Sequence, residues 1–193
     1  MKTLLLTLIL IAFSACSSYK GEEFLQRKEH YAKPILFLDL KNLHKVDDRL
    51  YRSSQPSAED FQKLYQYGIK YDLNLRQLHD DEDELKNIPI KKYHIPINTS
   101  KMSYEQLVEA VAYLASRDGK TLVHCLHGSD RTGTVVAGYR IAVNDWSKEK
   151  AIDELKNGGF GYHKFWFSNL PKLLNSLDTK EFKKDVQKKM AEF

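Results

Sequence analysis

Residues 121–138 read TLVHCLHGSDRTGTVVAG, and that order leaves the chain little choice of local fold. An apolar run ends at His124 and Cys125 follows it. Five residues then separate Cys125 from Arg131, after which Thr132 and Gly133 lead into a helix-like apolar run. The pattern predicts strand, tight loop, helix. A loop that enters a helix N-terminus points several backbone N–H groups into one concavity, and the helix dipole adds positive potential there. A tetrahedral oxyanion such as phosphate suits that concavity, with Cys125 at its floor. The same dipole, with Arg131 close by, draws the thiol toward the nucleophilic thiolate. Arg131 offers a planar fork for two phosphate oxygens. The plainer alternative is a buried cysteine closing a core strand, since free Cys often behaves as a small hydrophobe.

The run His124, Cys125, Leu126, His127, Gly128, Ser129, Asp130, Arg131, Thr132 resembles the signature of the cysteine-dependent phosphatases, HC-x5-R-[ST]. The resemblance implies that Cys125 attacks phosphorus to form a cysteinyl-phosphate and that Arg131 and loop N–H groups hold the equatorial oxygens. Leu126, His127, Gly128 and Ser129 would line the phosphate, and Thr132 would help the thiolate leave in the second step. His124 would orient the loop, and neither metal nor cofactor is implied. Thr132 can equally satisfy a backbone group at the helix start, and His127 can simply face solvent. Two other classes remain open. One is a non-catalytic phosphate-binding pseudo-phosphatase. The other is a rhodanese-like sulfurtransferase, whose Cys loop also cradles an anion, although the trailing Arg-Thr-Gly speaks against it.

Protonation of the leaving oxygen is where the sequence departs from the family pattern. Dual-specificity phosphatases supply an Asp from the loop after the strand that precedes the Cys-bearing strand. Here that loop reads INTSKM over 97–102, and Asn98, which cannot act as an acid, occupies the place. Three options follow. Asp130 is one: HC-x-x-G-x-D-R-T also occurs in secreted bacterial tyrosine and lipid phosphatases and in phosphoinositide phosphatases of the myotubularin kind, where this Asp is implicated in catalysis. Asp130 is otherwise an acceptor that fixes loop N–H groups or Arg131. The second option is a carboxylate from DDEDE at 80–84, which reads otherwise as the solvated start of a helix. The third is that no strong acid is needed. A phosphoanhydride releases a phosphate with a second pKa of about 6, against about 10 for tyrosine, so anhydride-bearing or aryl substrates are favoured.

LYRSSQP at 50–56 is a second, weaker mark of resemblance. It recurs in bacterial proteins that resemble dual-specificity phosphatases, and a similar YRS element occurs in fungal and plant enzymes acting on inositol pyrophosphates. Arg52 therefore either helps with phosphate or is a surface Arg at a strand end. Strands are expected at 50–55, 71–76, 92–97 and 121–125. A helix opens at Ser57, with Asp60 completing a capping box, and ends at Gly68. Ser103 and Gln106 cap a helix over 104–116. Further helices are expected at 132–143, from Ser147 to Asn157, over 160–177 around Phe165, Trp166, Leu170 and Leu174, and on the surface from Lys180. Arg76 ends its strand and either points into the site, because ligands gather at carboxyl ends of strands, or pairs with the acidic run. The alternation predicts an α/β domain, a central mostly parallel sheet flanked by helices, dual-specificity-phosphatase-like.

The first sixteen residues, MKTLLLTLILIAFSAC, have a positive start, a short apolar core and small residues before Cys16. The core is too short to span a bilayer comfortably. The ending resembles the lipobox of bacterial lipoproteins, which implies a signal peptide over 1–15, lipid on Cys16, a tether over 16–33 and a phosphatase domain over 34–193. An ordinary secretory signal cut near Ala15 is the alternative. The implied location is the bacterial cell envelope, with Ser17 resembling outer-membrane sorting. Cys16 and Cys125 are the two cysteines of the chain. With lipid on the first, the second has no internal partner, which adds weight to a reactive role. A net charge of +4 suits an anionic small substrate, a phosphorylated protein or inositol phosphate, and is too weak to argue for nucleic acid.

Overall fold

The computed structural model describes residues 29–193. The expected signal peptide and Cys16 lie outside the described residues. The elements below all belong to the compact unit Ala32–Phe193.

Six strands form one sheet: β1 Lys33–Pro34, β2 His44–Lys45, β3 Leu50–Ser53, β4 Ile69–Asn74, β5 Lys91–His94 and β6 Lys120–His124, in the order β1-β2-β3-β6-β4-β5. β3, β6, β4 and β5 run parallel, and β1 and β2 form a short antiparallel edge. β6 thus lies between two parallel neighbours, with Ser53 and Asn74 both in register with His124. Ligand sites in such sheets form beyond the carboxyl ends of the strands, and the Cys125 loop leaves from there.

The helices are α1 Ala58–Gln66, α2 Tyr104–Ser116, α3 Asp130–Ala142, α4 Lys148–Asn157, α5 Asn169–Ser176 and α6 Thr179–Met190. Capping sets their starts as the sequence implies. Ser57 and Asp60 exchange reciprocal bonds at α1, and Ser103 and Gln106 do so at α2. Successive residues of β6 feed opposite cores. Leu122 joins Phe61, Leu64 and Ile69 on the α1 side. Val123 joins Leu107, Val111, Val135, Leu155, Leu170 and Phe182 on the other. α3 is buried along almost its whole length. A Cβ at Gly133 would stand 2.6 Å from Leu155 Cδ1, so the missing side chain is what lets α4 close on α3.

Three expectations need correction. Residues 160–168 are not helical; α5 begins at Asn169, and Phe165 and Trp166 are 87% and 80% exposed. Gly159 and Gly161 adopt φ +87° and +77° there, which a continuing helix cannot use. Pro171 falls in the first turn of α5, where its missing N–H costs nothing. The acidic run is a set of turns, not a helix start, and Asp81 within it is fully buried. α6 is more than a surface helix, since Phe182 and Val186 bury against α2, with the Phe182 and Tyr104 ring centroids 6.0 Å apart.

Candidate active site

Cys125 follows β6 directly and is 2% exposed, at the floor of a loop that closes at the first residue of α3. Gly128 takes φ +69° at the loop's turn, and a Cβ there would lie 2.5 Å from the carbonyl carbon and oxygen of Ser53. The loop is therefore pressed against the end of β3 at a point only glycine can occupy. Burial pushes the Cys125 thiol up, but the Thr132 hydroxyl, the Arg131 guanidinium and the backbone N–H groups of Thr132 and Gly128 outweigh it and hold the thiol below its ordinary value. The buried Thr132 hydroxyl has no nitrogen or oxygen acceptor, and the group it acts on is that sulfur.

Behind the loop lies a buried charge network. His124 Nε2 is 2.9 Å from Asp81 Oδ2 and 3.4 Å from Asp72 Oδ1, and all three side chains are fully buried. Burial alone would lower the imidazole; Asp72 and Asp81 carry it up to about 10. His124 is therefore an imidazolium between two carboxylates at neutral pH. Asp81 also accepts from Asn74 Nδ2 at 2.6 Å and from Gln55 Nε2 at 2.5 Å, and Gln55 Oε1 accepts from Arg76 Nη1 at 3.0 Å. The second half of LYRSSQP is thus wired to the strand that carries the nucleophile. Asp72 and Gln55 were not among the sequence candidates, and Asp81 entered only as one of the acidic run at 80–84. An aspartate inside the buried strand YDLNL was the available signal.

Arg131 donates from Nη1 to the carbonyls of Leu75 at 3.1 Å and Ile97 at 3.2 Å, one from beyond β4 and one from beyond β5. Those two bonds aim the guanidinium from the sheet's carboxyl edge. An open cleft of about 340 Å³ lies over it, lined by Arg76, Leu78, Asn98, Leu126 and Phe167 among others. Arg76 is therefore at the mouth, and the bond it makes is to Gln55. No carboxylate is among the lining residues. Asn98 Oδ1 accepts from the Ser100 N–H at 3.1 Å, capping the short turn Thr99–Lys101. Leu126 and His127 are exposed.

Ser129 and Asp130 face away from the cleft toward the 160–168 segment. Ser129 Oγ donates to the Phe160 carbonyl at 2.6 Å. Asp130 accepts from the His163 backbone N–H at 2.9 Å and pairs with its Nδ1 at 2.8 Å, using both carboxylate oxygens. Arg52, expected either to help with phosphate or to lie at the surface of a strand end, is not at the surface: it is fully buried under the loop, with Nη2 donating to the Gly128 carbonyl at 2.6 Å.

The sheet order, the loop and the arginine above it define a cysteine phosphatase class of site. The sequence matches the family described as dual specificity phosphatase, catalytic domain, over residues 50–169, more than half its length, and the chain belongs to that family. The dual specificity protein phosphatase TpbA of Pseudomonas aeruginosa is 33% identical over 122 residues, covering 62% of this chain and 56% of TpbA. The match therefore spans just over half the length of that relative. An inositol diphosphatase of Arabidopsis thaliana is 29% identical over 128 residues, 61% of this chain and 63% of its own. In three dimensions, a solved cysteine-to-serine variant of TpbA in complex with phosphotyrosine superposes with a TM-score of 0.73 at 25% identity. It covers 82% of this chain and 96% of that one.

Proposed function

We propose that the protein is a phosphomonoester hydrolase that works through a cysteinyl-phosphate. One observation carries the proposal: a buried Cys125, its thiol held below the ordinary range, sits under inward N–H groups and the Arg131 guanidinium. In the first step the thiolate attacks phosphorus, the S–P bond forms, and the P–O bond to the leaving group breaks as that oxygen takes a proton. In the second, water attacks phosphorus and loses a proton, the S–P bond breaks, and inorganic phosphate and the thiolate are released. The Thr132 hydroxyl stabilises the departing sulfur, and Arg131 follows the equatorial oxygens through both steps.

The substrates we propose are phosphotyrosine in protein and inositol phosphates or phosphoinositides, including phosphoanhydrides. The relatives named above support both classes. The absence of a carboxylate from the cleft lining supports leaving groups of low basicity, which need little proton donation. Hydrolysis of p-nitrophenyl phosphate tests the reading, with vanadate as inhibitor. Cys125→Ser abolishes turnover while retaining phosphate-ester binding; wild-type turnover in that variant removes Cys125 as nucleophile. A panel of phosphotyrosine peptide, phosphoinositide and inositol pyrophosphate then ranks the classes. We further propose lipid anchoring through Cys16 in a bacterial envelope, supported by residues 1–16, with palmitate labelling lost in Cys16→Ala as its test.

A further inference from the structure

We propose that Arg52 is a positioning residue for the nucleophile: a buried cation that holds the Gly128 peptide plane outward and gives the Cys125 thiolate a fixed countercharge. The inference rests on the reading of Cys125 as nucleophile, and its test reads the thiol without turnover.

Arg52 stands on β3, in register with Val123 of β6, two residues before the cysteine. Its side chain is fully buried. Its guanidinium carbon sits 3.7 Å from the centroid of the Phe160 ring, which fixes the plane of the fork. Nη2 donates to the Gly128 carbonyl at 2.6 Å, and a Cβ on Gly133 would stand 3.6 Å from the same atom. The fork therefore sits between the turn of the loop and the first turn of α3. In a trans peptide the carbonyl and the following N–H point in opposite directions. A Gly128 carbonyl pulled toward Arg52 thus turns the Ser129 N–H away from it, toward the concavity.

The charge argument is independent of that bond. Isolating a guanidinium from water is costly unless an opposite charge matches it. Burial lowers this one, yet only to about 10, so it stays protonated at neutral pH. Two anionic groups act on it, Glu154 more and Cys125 less, against the like charge of Arg140. Glu154 is engaged elsewhere, by Arg140 Nε at 3.0 Å and Nη2 at 3.1 Å and by the Ala32 N–H at 2.7 Å. Nε and Nη1 of Arg52 have no hydrogen-bond partner among the described residues. One carboxylate shared by Arg52 and Arg140 leaves a positive charge unmatched, and the ionised cysteine is the other anion that acts on Arg52. Arg131 matches that anion from the cleft, where substrate replaces the sulfur as its partner; Arg52 does so from the protein side.

The test is the pH dependence of Cys125 alkylation by iodoacetamide in the full chain, for wild type, Arg52→Gln and Arg52→Lys. Gln carries no charge and, two bonds shorter, also gives up the Gly128 bond; Lys keeps the charge and loses the fork. The alkylation midpoint rises by about 1 pH unit or more in the Gln variant, the lower end of the effect of an adjacent charge, and by less in the Lys variant. A folded Gln variant with a wild-type midpoint overturns the proposal. A readout in the wild-type protein guards against variants that do not fold. The Arg52 Nε–H resonance moves with pH at the cysteine's midpoint and stays flat in Cys125→Ser; a resonance indifferent to that titration also overturns it. A shifted midpoint in a protein with no phosphatase activity would sink the proposed function and leave the role of Arg52 standing.

Discussion

Replacing Gly128 by alanine strikes fold and chemistry together, and the structure sets the size of both effects. The new methyl would start 2.5 Å from the Ser53 carbonyl carbon and oxygen and 2.6 Å from the Ser54 nitrogen, all backbone atoms that no rotamer change can move. Ordinary contact begins near 3.4 Å, so the loop or the end of β3 must retreat by about 0.9 Å, a shift that costs on the order of 10²-fold in rate at a preorganised site. The left-handed backbone at φ +69° adds roughly 1–2 kcal/mol for a residue with a Cβ. The steric displacement adds about 1–3 kcal/mol more, as overpacking does elsewhere. Urea unfolding of Gly128→Ala should therefore show a loss of about 2–5 kcal/mol, the sum of these two. p-Nitrophenyl phosphate turnover should fall about 100-fold, and the alkylation midpoint of Cys125 should rise because the Gly128 N–H no longer faces the sulfur. A variant within about 0.5 kcal/mol of wild type, the scatter of ordinary surface changes, and with near-normal turnover would refute the claim that the loop is pinned to β3.

Three further outcomes are expected. Asp130→Asn should keep kcat on p-nitrophenyl phosphate within about tenfold while exposing the 160–168 segment to chymotrypsin, because both carboxylate oxygens are on His163; a loss of 10²–10⁴-fold, the worth of a general acid, would assign it that role instead. Glu154→Ala strips the buried Arg140 of its carboxylate and should cost about 3–5 kcal/mol in urea unfolding, with a loss under about 1 kcal/mol refuting a desolvated pair. Melting temperature should decline as pH climbs from 6.5 to about 10, because a histidine raised in the folded state contributes fully below its unfolded value and loses that contribution on deprotonation. Asp81→Asn should flatten that alkaline limb, and an unchanged limb would show that His124 is not the titrating group.

The strand–loop–helix around Cys125 was legible because its residue types do local work. A turn that admits only glycine, an arginine in the first turn of the helix and a hydroxyl behind the sulfur are written within five positions, 128–132. The caps at Ser57 and Ser103 were legible for the same reason, each needing one partner three residues on. What escaped was tertiary. Asp72 and Asp81 read as a strand residue and a solvated acid until the sheet brings them to His124 from sequence distances of 52 and 43 residues. Arg52 read either as a phosphate helper or as a surface arginine at a strand end, because nothing in its neighbourhood of sequence tells that Phe160 and Gly128 will cover it. The spacing of Phe165, Trp166, Leu170 and Leu174 imitates a helix face, but the positive φ of Gly159 and Gly161 breaks the run and leaves the two aromatics outside. β1 and β2, at two residues each, are too short to show any period.

The groups that lower the Cys125 thiol sit within seven residues of it, but the loop that carries them is held from far along the polypeptide: Arg52 bonds Gly128 from before it, and Phe160 and His163 bond Ser129 and Asp130 from segments synthesised later. A nascent chain that has emerged only as far as the cysteine carries a plain thiol, with the reactivity of a free amino acid side chain. Thiolate reactivity therefore depends on the loop being closed, and its appearance during refolding is expected to report the docking of the 160–168 segment on Ser129 and Asp130.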